Sequence, residues 1–145
     1  MSAAAFAFEI VSPERLVLRA SVRQVSAPTV MGEITILPSH VPLVALLKPG
    51  VIEAVLEDGQ HELMAVSGGL IEVMSGKVVV LADTAERAAE LDEERIALAR
   101  SRAESLKEQA EHIDDVEFAR LSAALETELA RERALKRWRK LNIGQ

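Results

Sequence analysis

The positions of proline and glycine divide this chain of 145 residues into two parts. All 5 prolines lie at or before Pro49, and all but one of the 7 glycines lie at or before Gly76. Residues 77–143 therefore contain neither of the residues that most strongly interrupt a helix. Charged side chains are also much denser after residue 85. The sequence predicts a sheet with turns over residues 1–85 and helices over residues 86–145.

Short apolar runs separated by turn residues fill residues 1–85. Phe6–Ile10 alternates between apolar and smaller or polar positions, as a half-buried strand does. Lys48–Gly50 and Asp58–Gly59 are strong turn signals. Leu43–Leu47 is continuously apolar, which predicts a strand buried on both faces. Roughly eight or nine such strands, with turns at intervals of about 8–12 residues, predict an antiparallel β-sandwich.

Residues 86–145 have the periodicity of two helices. Apolar side chains recur every three or four positions over Ile96–Ile113 and again over Phe118–Leu141. Between these stripes, Asp114 and Glu117 have the spacing of a capping box. Both stripes are rich in alanine, so the seam between the helices buries little area and we expect the hairpin to dock and release easily. The predicted fold class is α+β, an antiparallel β-sandwich followed by an antiparallel two-helix hairpin.

The composition argues against several classes of function. A net charge of −6 does not suit a nucleic-acid-binding protein, which needs a basic face. The absence of cysteine excludes disulfides and zinc–thiolate sites. No apolar run approaches the roughly 18 residues of a membrane span, and we expect no signal peptide. No histidine has triad or metal-ligand partners nearby in sequence, so we predict no catalytic site and no required cofactor.

Five motifs follow one another along the chain. They are "VSPE" (Val11–Glu14), "MGEITILPSHVPL" (Met31–Leu43), "KPG" (Lys48–Gly50), "SGGLIEV" (Ser67–Val73) and "VVVLADTAERAAELD" (Val78–Asp92). In this order, and over nearly the whole chain, they resemble the epsilon subunit of the F-type ATP synthase. Ser39 stands where that family usually has glycine. The resemblance implies a central-stalk subunit, not an enzyme by itself, that couples proton-driven rotation of the c-ring to ATP synthesis.

The resemblance also implies partners for each part of the chain. Residues 1–85 would bind the gamma subunit and the c-ring, with Glu33 facing the polar c-ring loops and His40 on the gamma side. Residues 86–145 would be regulatory, and would either fold against the sandwich or extend to the beta and alpha subunits and restrain ATP hydrolysis. The chain would be peripheral to the bacterial inner membrane, on its cytoplasmic face. The alternatives are that Glu33 is a solvated turn carboxylate and that His40 hydrogen-bonds its own turn.

The end of the chain reverses the overall charge. Residues 131–145 contain one acid, Glu132, and six cations. These cations, which we call the basic tail, are Arg131, Arg133, Lys136, Arg137, Arg139 and Lys140. Such an excess indicates an acidic partner, which the resemblance identifies as the beta subunit. The interface residues it implies are Arg133, Lys136, Arg137 and Lys140. A helix end that complements its own dipole, or attraction to a membrane surface, would also explain the charge.

Leu91–Ile96 is similar to a segment with which some epsilon subunits bind ATP. That pattern has Ile or Leu, Asp, two variable residues, Arg and Ala, and only Ile96 departs from it. The resemblance implies a regulatory ATP site at Asp92, Arg95 and Arg102, since arginine offers phosphate a bidentate fork. The alternative is that Asp92 caps a helix and Arg95 pairs with an acid. A rotary-stalk subunit, a free-standing β-sandwich interaction module and a nucleotide sensor all remain open.

Overall fold

The computed structural model describes residues 4–109 and 114–143. Within these ranges, nine strands precede two helices. The strands are β1 (Phe6–Val11), β2 (Leu16–Thr29), β3 (Gly32–Ile36), β4 (Leu43–Leu47), β5 (Gly50–Leu56), β6 (His61–Val66), β7 (Gly69–Met74), β8 (Lys77–Ala82) and β9 (Ala85–Arg87). A short 3-10 turn (Ala88–Glu90) leads to α1 (Glu93–Gln109) and α2 (Asp115–Ile143). The predicted sandwich followed by a helical hairpin is confirmed.

The long strand β2 joins the two layers of the sandwich. Its first half pairs with β1, which continues through β8 and β7 to β4. Its second half pairs with β3 and β5, and β6 and β9 follow β5. One pairing departs from the antiparallel prediction, because β1 lies parallel to β8. The chain between those two strands is long enough to permit either direction, whereas the short connections of the pairs β1–β2, β2–β3, β5–β6 and β7–β8 permit only the antiparallel one.

Large apolar side chains fill the space between the layers. Phe8, Ile52, Met64, Ile71 and Val80 have no solvent exposure at all. They belong to one continuous cluster, which is the main core of the molecule. At about 25 cal/mol per Å² of apolar surface, burial of this size dominates the free energy that holds the sandwich together.

A smaller apolar cluster lies beneath α2. Leu63 and Ala65 point away from the main core and meet Ala88 and Ala134, with Trp138 packed at the edge. β6 is therefore apolar on both faces, because one face meets the main core and the other meets α2. The hairpin lies folded against the β5–β6 side of the sandwich.

An aspartate immediately before each helix caps its first turn. The Asp92 carboxylate accepts hydrogen bonds from the backbone N–H groups of Glu94 (2.9 Å) and Arg95 (3.2 Å). The Asp114 carboxylate accepts one from Glu117 N–H (2.8 Å), as the capping-box spacing predicts. These bonds satisfy N–H groups that have no partner inside the helix. Residues 110–113, the end of the first predicted stripe, lie outside the described residues.

The strand β4 is buried on one face only. Val44 is 63% exposed and Leu46 is 59% exposed, whereas Leu47 is buried. The prediction of a strand buried on both faces is therefore wrong. A continuous apolar run shows that both faces avoid water, but it does not show that both are covered within the same chain.

Candidate interaction surfaces

An apolar row crosses the uncovered face of the sandwich. Leu46 is the cross-strand neighbour of Leu70, Leu70 of Leu81, and Leu81 of Val11. Leu46 and Leu81 are more than half exposed, and Leu70 and Val11 are partly exposed. We call these four residues the apolar row. A contiguous exposed row of this kind is typical of a protein interface.

A short hairpin turn projects beside the apolar row. β2 and β3 are joined by Val30 and Met31, and Met31 is 93% exposed. Glu33 follows on β3, is exposed, and makes no ion pair within residues 4–109 and 114–143. The N–H of Val30 donates a hydrogen bond to the carbonyl of Leu46 (3.0 Å), so this tip is continuous with β4. We call Val30–Glu33 the tip.

His40 lies in a different turn. Its backbone N–H donates to the carbonyl of Leu37 (3.2 Å), and its Nδ1–H donates to the carbonyl of Val41 (2.7 Å). The ring thus hydrogen-bonds its own turn, as the simpler interpretation expects. Ser39 has φ of 65°, the left-handed conformation that glycine adopts most easily. Glu33 lies near the start of β3, whereas His40 lies in the turn that follows the end of that strand, so the two residues belong to opposite ends of the hairpin strand.

Two cations of the basic tail bind acids of the sandwich side. Arg131 donates to Glu86 at the end of the sheet (Nε to Oε1, 2.7 Å). Arg137 forms an ion pair with Glu53 on β5, and the second oxygen of Glu53 contacts Nδ1 of His61 (2.7 Å). In this conformation the acids that neutralise Arg131 and Arg137 belong to the chain itself.

The other predicted interface residues face solvent. Lys136 pairs with Glu132 one turn earlier on α2 (2.9 Å). Arg133 and Lys140 are exposed, and neither forms an ion pair with any residue that the structure describes. Arg139 pairs with Glu93 on α1 (2.9 Å). The basic tail thus contains cations that pair with the sandwich side, cations that pair within the hairpin, and two that remain available to another molecule.

Glu132 links the two helices. Its carboxylate accepts hydrogen bonds from Lys136 on α2 and from Arg100 on α1. The hydrogen bond from Lys136 lowers the pKa of Glu132 and outweighs the opposing effect of partial burial, with Arg100 adding to the lowering. Hydrogen bonds to Glu104 and Glu132 raise the pKa of Arg100 in turn.

The residues of the predicted ATP site are only partly brought together. Asp92 and Arg95 line a cleft of about 370 Å³ between the start of α1 and α2, but Arg102 does not line it. The Asp92 carboxylate is already used as the helix cap. In the same cleft, Arg131 is held by Glu86 and Glu128. Arg95 is exposed and has no ion-pair partner among the described side chains.

Sequence reasoning missed the apolar row, the apolar residues of the tip, and Glu53. The available signal was the uninterrupted apolar run of β4 and the apolar pair Val30–Met31 at a turn, where polar residues are expected.

Across residues 4–109 and 114–143, no helix has the length and hydropathy needed to cross a bilayer. In the same part of the chain, no three His, Asp or Glu side chains are placed to hold a metal ion.

Comparison with known proteins gives consistent results. Residues 5–88 match the family model described as ATP synthase, Delta/Epsilon chain, beta-sandwich domain. The ATP synthase epsilon chain of Nitrosococcus oceani is 42% identical over 132 residues, covering 91% of this chain and 93% of the relative. The epsilon chain of Dichelobacter nodosus is 50% identical over 101 residues, covering 70% of this chain and 71% of the relative.

Two solved structures contain chains whose fold is similar to that of this chain. A chain of the Euglena gracilis mitochondrial ATP synthase, from a structure of its OSCP, F1 and c-ring, has a TM-score of 0.78 and 26% identity. The match covers 91% of this chain and 82% of that chain. A chain from the Tetrahymena thermophila central stalk and c-ring has the same fold, with a TM-score of 0.59, 11% identity, and coverage of 93% and 99%. The chain belongs to the epsilon-chain family of ATP synthase.

Proposed function

We propose that this chain, a central-stalk subunit of an F-type ATP synthase, transmits rotation by binding the gamma subunit and the c-ring with two adjacent surfaces of its sandwich. The observation that carries this proposal is the apolar row. One outer face of the sandwich is covered by α2, and the other exposes four neighbouring apolar side chains. A rotor subunit must stay bound to its partner while it transmits torque, and an interface with a buried apolar centre provides such stable binding.

The gamma subunit is the proposed occupant of the apolar row. Val41 and Val44 extend the exposed apolar surface from the turn of His40 along β4 to Leu46. Because Val41 adjoins His40, this exposed surface supports the gamma-side position that the family resemblance implies for His40. The match to a chain from a structure that also contains F1 and the c-ring supports a position between these two parts.

The c-ring is the proposed occupant of the tip. Glu33 is exposed and has no ion-pair partner within the described ranges, so its carboxylate is available to polar loops of another protein. Met31 adds exposed apolar area beside it. A wet, polar contact with an apolar centre is the usual anatomy of such an interface.

Charge substitution in the apolar row tests the gamma contact. The double variant Leu46→Glu, Leu81→Glu should bind isolated gamma about tenfold more weakly, or worse, because two carboxylates would be buried at the interface. Leu98→Glu is the matched control, since Leu98 is a similarly exposed leucine on α1. Unchanged gamma affinity in the double variant, with the melting temperature also unchanged, would show that gamma does not occupy the row.

We infer that the basic tail restrains ATP hydrolysis when the hairpin leaves the sandwich. Arg133 and Lys140 face solvent in the docked form, and Arg137 becomes available when its bond to Glu53 opens. An acidic segment of a beta subunit would provide replacement partners. Exposed ion pairs contribute only about 0–1 kcal/mol each, so inhibition should depend on the whole cluster and weaken with salt.

Two sets of alanine substitutions separate inhibition from docking. Arg133→Ala with Lys140→Ala removes cations that make no ion pair with the described part of the chain, so hydrolysis by the assembled complex should rise without any change in docking. Adding Lys136→Ala and Arg137→Ala should raise it further. Arg120→Ala, an exposed cation earlier on α2, is the control. Hydrolysis at the parent rate in the fourfold variant, at low and high salt, would exclude the tail as an inhibitor.

We also propose a peripheral position at the cytoplasmic face of a bacterial inner membrane, reached through the complex. The bacterial sources of the most similar relatives support this proposal. The chain should then leave washed membranes together with the F1 head at low ionic strength, and recovery only after the bilayer is dissolved would contradict it.

The cleft beside Arg95 supports a second candidate function, regulation by ATP. Arg95 is an exposed guanidinium that can form a bidentate contact with phosphate. The cleft holds more carboxylates than guanidinium groups, so we expect a dissociation constant weaker than about 1 mM. Calorimetric titration with ATP measures this constant, with Arg95→Ala and Arg102→Ala as tests. Micromolar binding that only Arg95→Ala abolishes would show that the cleft is a genuine nucleotide site.

A further inference from the structure

We propose that Thr29 is a positioning residue that orders the tip Val30–Glu33 for its contact with the c-ring. This inference rests on the proposed function, which gives the tip that partner. Thr29 ends β2 immediately before the turn, whereas the exposed side chains of Met31 and Glu33 would make the contact itself. Thr29 would act only through the conformation of the tip.

Thr29 is polar, yet it is only 1% exposed, so among the described residues it is as buried as the core residues are. Its hydroxyl donates a hydrogen bond to the carbonyl of Gly32 (2.5 Å) and accepts one from the N–H of Met31 (3.2 Å). Burying a hydroxyl is unfavourable unless it is hydrogen-bonded, and here both bonds go to the backbone of the tip. One side chain therefore closes the whole turn from inside.

The base of the tip is fixed independently of Thr29. The N–H of Lys48 donates to the carbonyl of Pro28 (3.1 Å), and Val30 N–H donates to Leu46. Pro28 also packs closely against Gly50, since a Cβ at Gly50 would lie 2.7 Å from Cγ of the proline. The strands below the turn would thus hold their register without the hydroxyl.

The part of the tip beyond this base depends on the hydroxyl. Gly32 has φ of +119°, and because glycine has no Cβ it does not by itself restrict the backbone to this conformation. Met31 makes almost no contact that could hold its side chain, because it is 93% exposed. The two bonds of Thr29 restrict the backbone on both sides of Met31, and so they reduce the conformational entropy that the tip loses when it binds.

Three variants distinguish positioning from folding. Thr29→Val keeps the shape of the side chain and removes both hydrogen bonds, whereas Thr29→Ser keeps the bonds and removes a methyl group. Thr35→Val is the matched control, because the Thr35 hydroxyl bonds Ser26 (3.1 Å) on the exposed side of the same hairpin. Each is combined with Glu33→Cys in the assembled complex, with cysteines placed along the c-ring loop.

We expect disulfide formation with the c-ring to slow roughly fivefold in Thr29→Val, which corresponds to one typical hydrogen bond. In the isolated chain, the Met31 amide should exchange its hydrogen faster by a similar factor. Thr29→Ser and Thr35→Val should behave like the parent in both measurements. The ratio of protons pumped to ATP hydrolysed should fall only in Thr29→Val.

Three other outcomes would overturn either the positioning role of Thr29 or the proposed contact with the c-ring. Cross-linking of Thr29→Val at the parent rate, in a complex whose parent does cross-link, would overturn the positioning role and leave the c-ring contact intact. Absence of any cross-link in the parent would instead refute the contact in the proposed function. A Thr29→Val chain that does not fold would also overturn the inference, because Thr29 would then support the whole sandwich and not the tip.

Discussion

The sandwich and the hairpin are held by different kinds of contact. The sandwich buries large side chains such as Phe8, Ile10 and Ile71 completely. The completely buried side chains of α2 are alanines, Ala130 and Ala134, and ion pairs of Arg131 and Arg137 join α2 to the sandwich side. A core of large side chains has no alternative partner of similar shape, whereas an ion pair can exchange one acid for another. The sandwich is therefore the fixed part of the molecule and the hairpin the exchangeable part.

The two outer faces of the sandwich differ in whether the chain itself covers them. Both faces are apolar, since Leu63 and Ala65 lie on one and Leu46 and Leu81 on the other. The first face is covered by α2 and the second is not. The chain thus buries only one of its two apolar outer faces, the one beneath α2. We propose that a permanent partner occupies the uncovered face and that α2 covers the other face reversibly.

Cutting the chain between the two parts should have the largest effect. We expect residues 1–90 to unfold cooperatively on heating, because the main core includes no residue of α1 or α2. We expect residues 91–145 alone to lose helicity gradually, since isolated helices without a packed face are marginal. Circular dichroism during thermal unfolding measures both. A cooperative transition in residues 91–145, or an unfolded chain of residues 1–90, would remove the distinction between fixed and exchangeable parts.

Single large-to-small substitutions compare the two cores directly. Phe8→Ala should lower the free energy of unfolding by about 3–5 kcal/mol, because the rigid core cannot close the cavity. Leu135→Ala should lower it by about 2 kcal/mol or less, because the hairpin can shift to fill the gap. Urea denaturation gives both values. Equal losses would indicate that the hairpin is packed as rigidly as the sandwich.

Local sequence signals predicted the elements well. Turn residues such as Asp58–Gly59 lie between β5 and β6, and Asp114 caps α2, because turns and caps depend on a few neighbouring residues. The change in composition near residue 85 correctly separated sheet from helix, because proline and glycine also act on the local backbone. The sheet extends slightly further, to Arg87.

Contacts between distant parts of the chain could not be predicted in this way. The apolar row exists only because β4, β7, β8 and β1 pair in one register. Arg137 and Glu53 are 84 residues apart in sequence, so neither the acidic partner nor the alternatives considered for the excess of cations included an acid of the sandwich. The pattern at Asp92 and Arg95 is compatible with both a ligand site and a helix cap. Asp92 forms the cap, whereas Arg95 has no ion-pair partner among the described side chains, and the ligand site stays a prediction. Charge and hydropathy identify which surfaces need partners, but only the fold identifies where those partners come from.

A small-to-large substitution should release the hairpin while leaving the sandwich folded. Ala134 is completely buried against Leu63 and Ala65, so Ala134→Leu overfills that contact and should cost about 1–3 kcal/mol of docking. The fluorescence of Trp138, the single tryptophan of the chain, should shift to longer wavelength as the ring becomes exposed. Ala123→Leu, at an exposed position on α2, is the control. Parent-like fluorescence in Ala134→Leu would show that the contact can expand and that alanine is not what permits docking.

The smallest expected effect concerns the link between the two helices. The pKa of Glu132 is lowered in the folded chain by its hydrogen bond from Lys136 and by Arg100. A carboxyl group with a lowered folded pKa stabilises the fold above its unfolded pKa, near 4.5, and loses that contribution as the pH falls through the lower folded value. The contact between α1 and α2 should therefore be weaker at pH 3 than at pH 7, and replacing Glu132 with glutamine should remove part of that difference.

Thermal unfolding of the helices at both pH values isolates this contribution. At pH 7 the parent should melt at a higher temperature than Glu132→Gln, because the variant lacks the charge that binds Arg100 and Lys136. At pH 3 the difference between the two should be smaller, because the parent loses the contribution of the carboxylate as the pH falls through the lowered folded pKa of Glu132. Glu126→Gln, an exposed position on α2, should follow the parent at both pH values. If Glu132→Gln and the parent differ by the same amount at pH 3 and pH 7, the carboxylate does not link the helices through its charge. The exchangeable contacts of the hairpin would then be confined to its docking side, at Glu53 and Glu86.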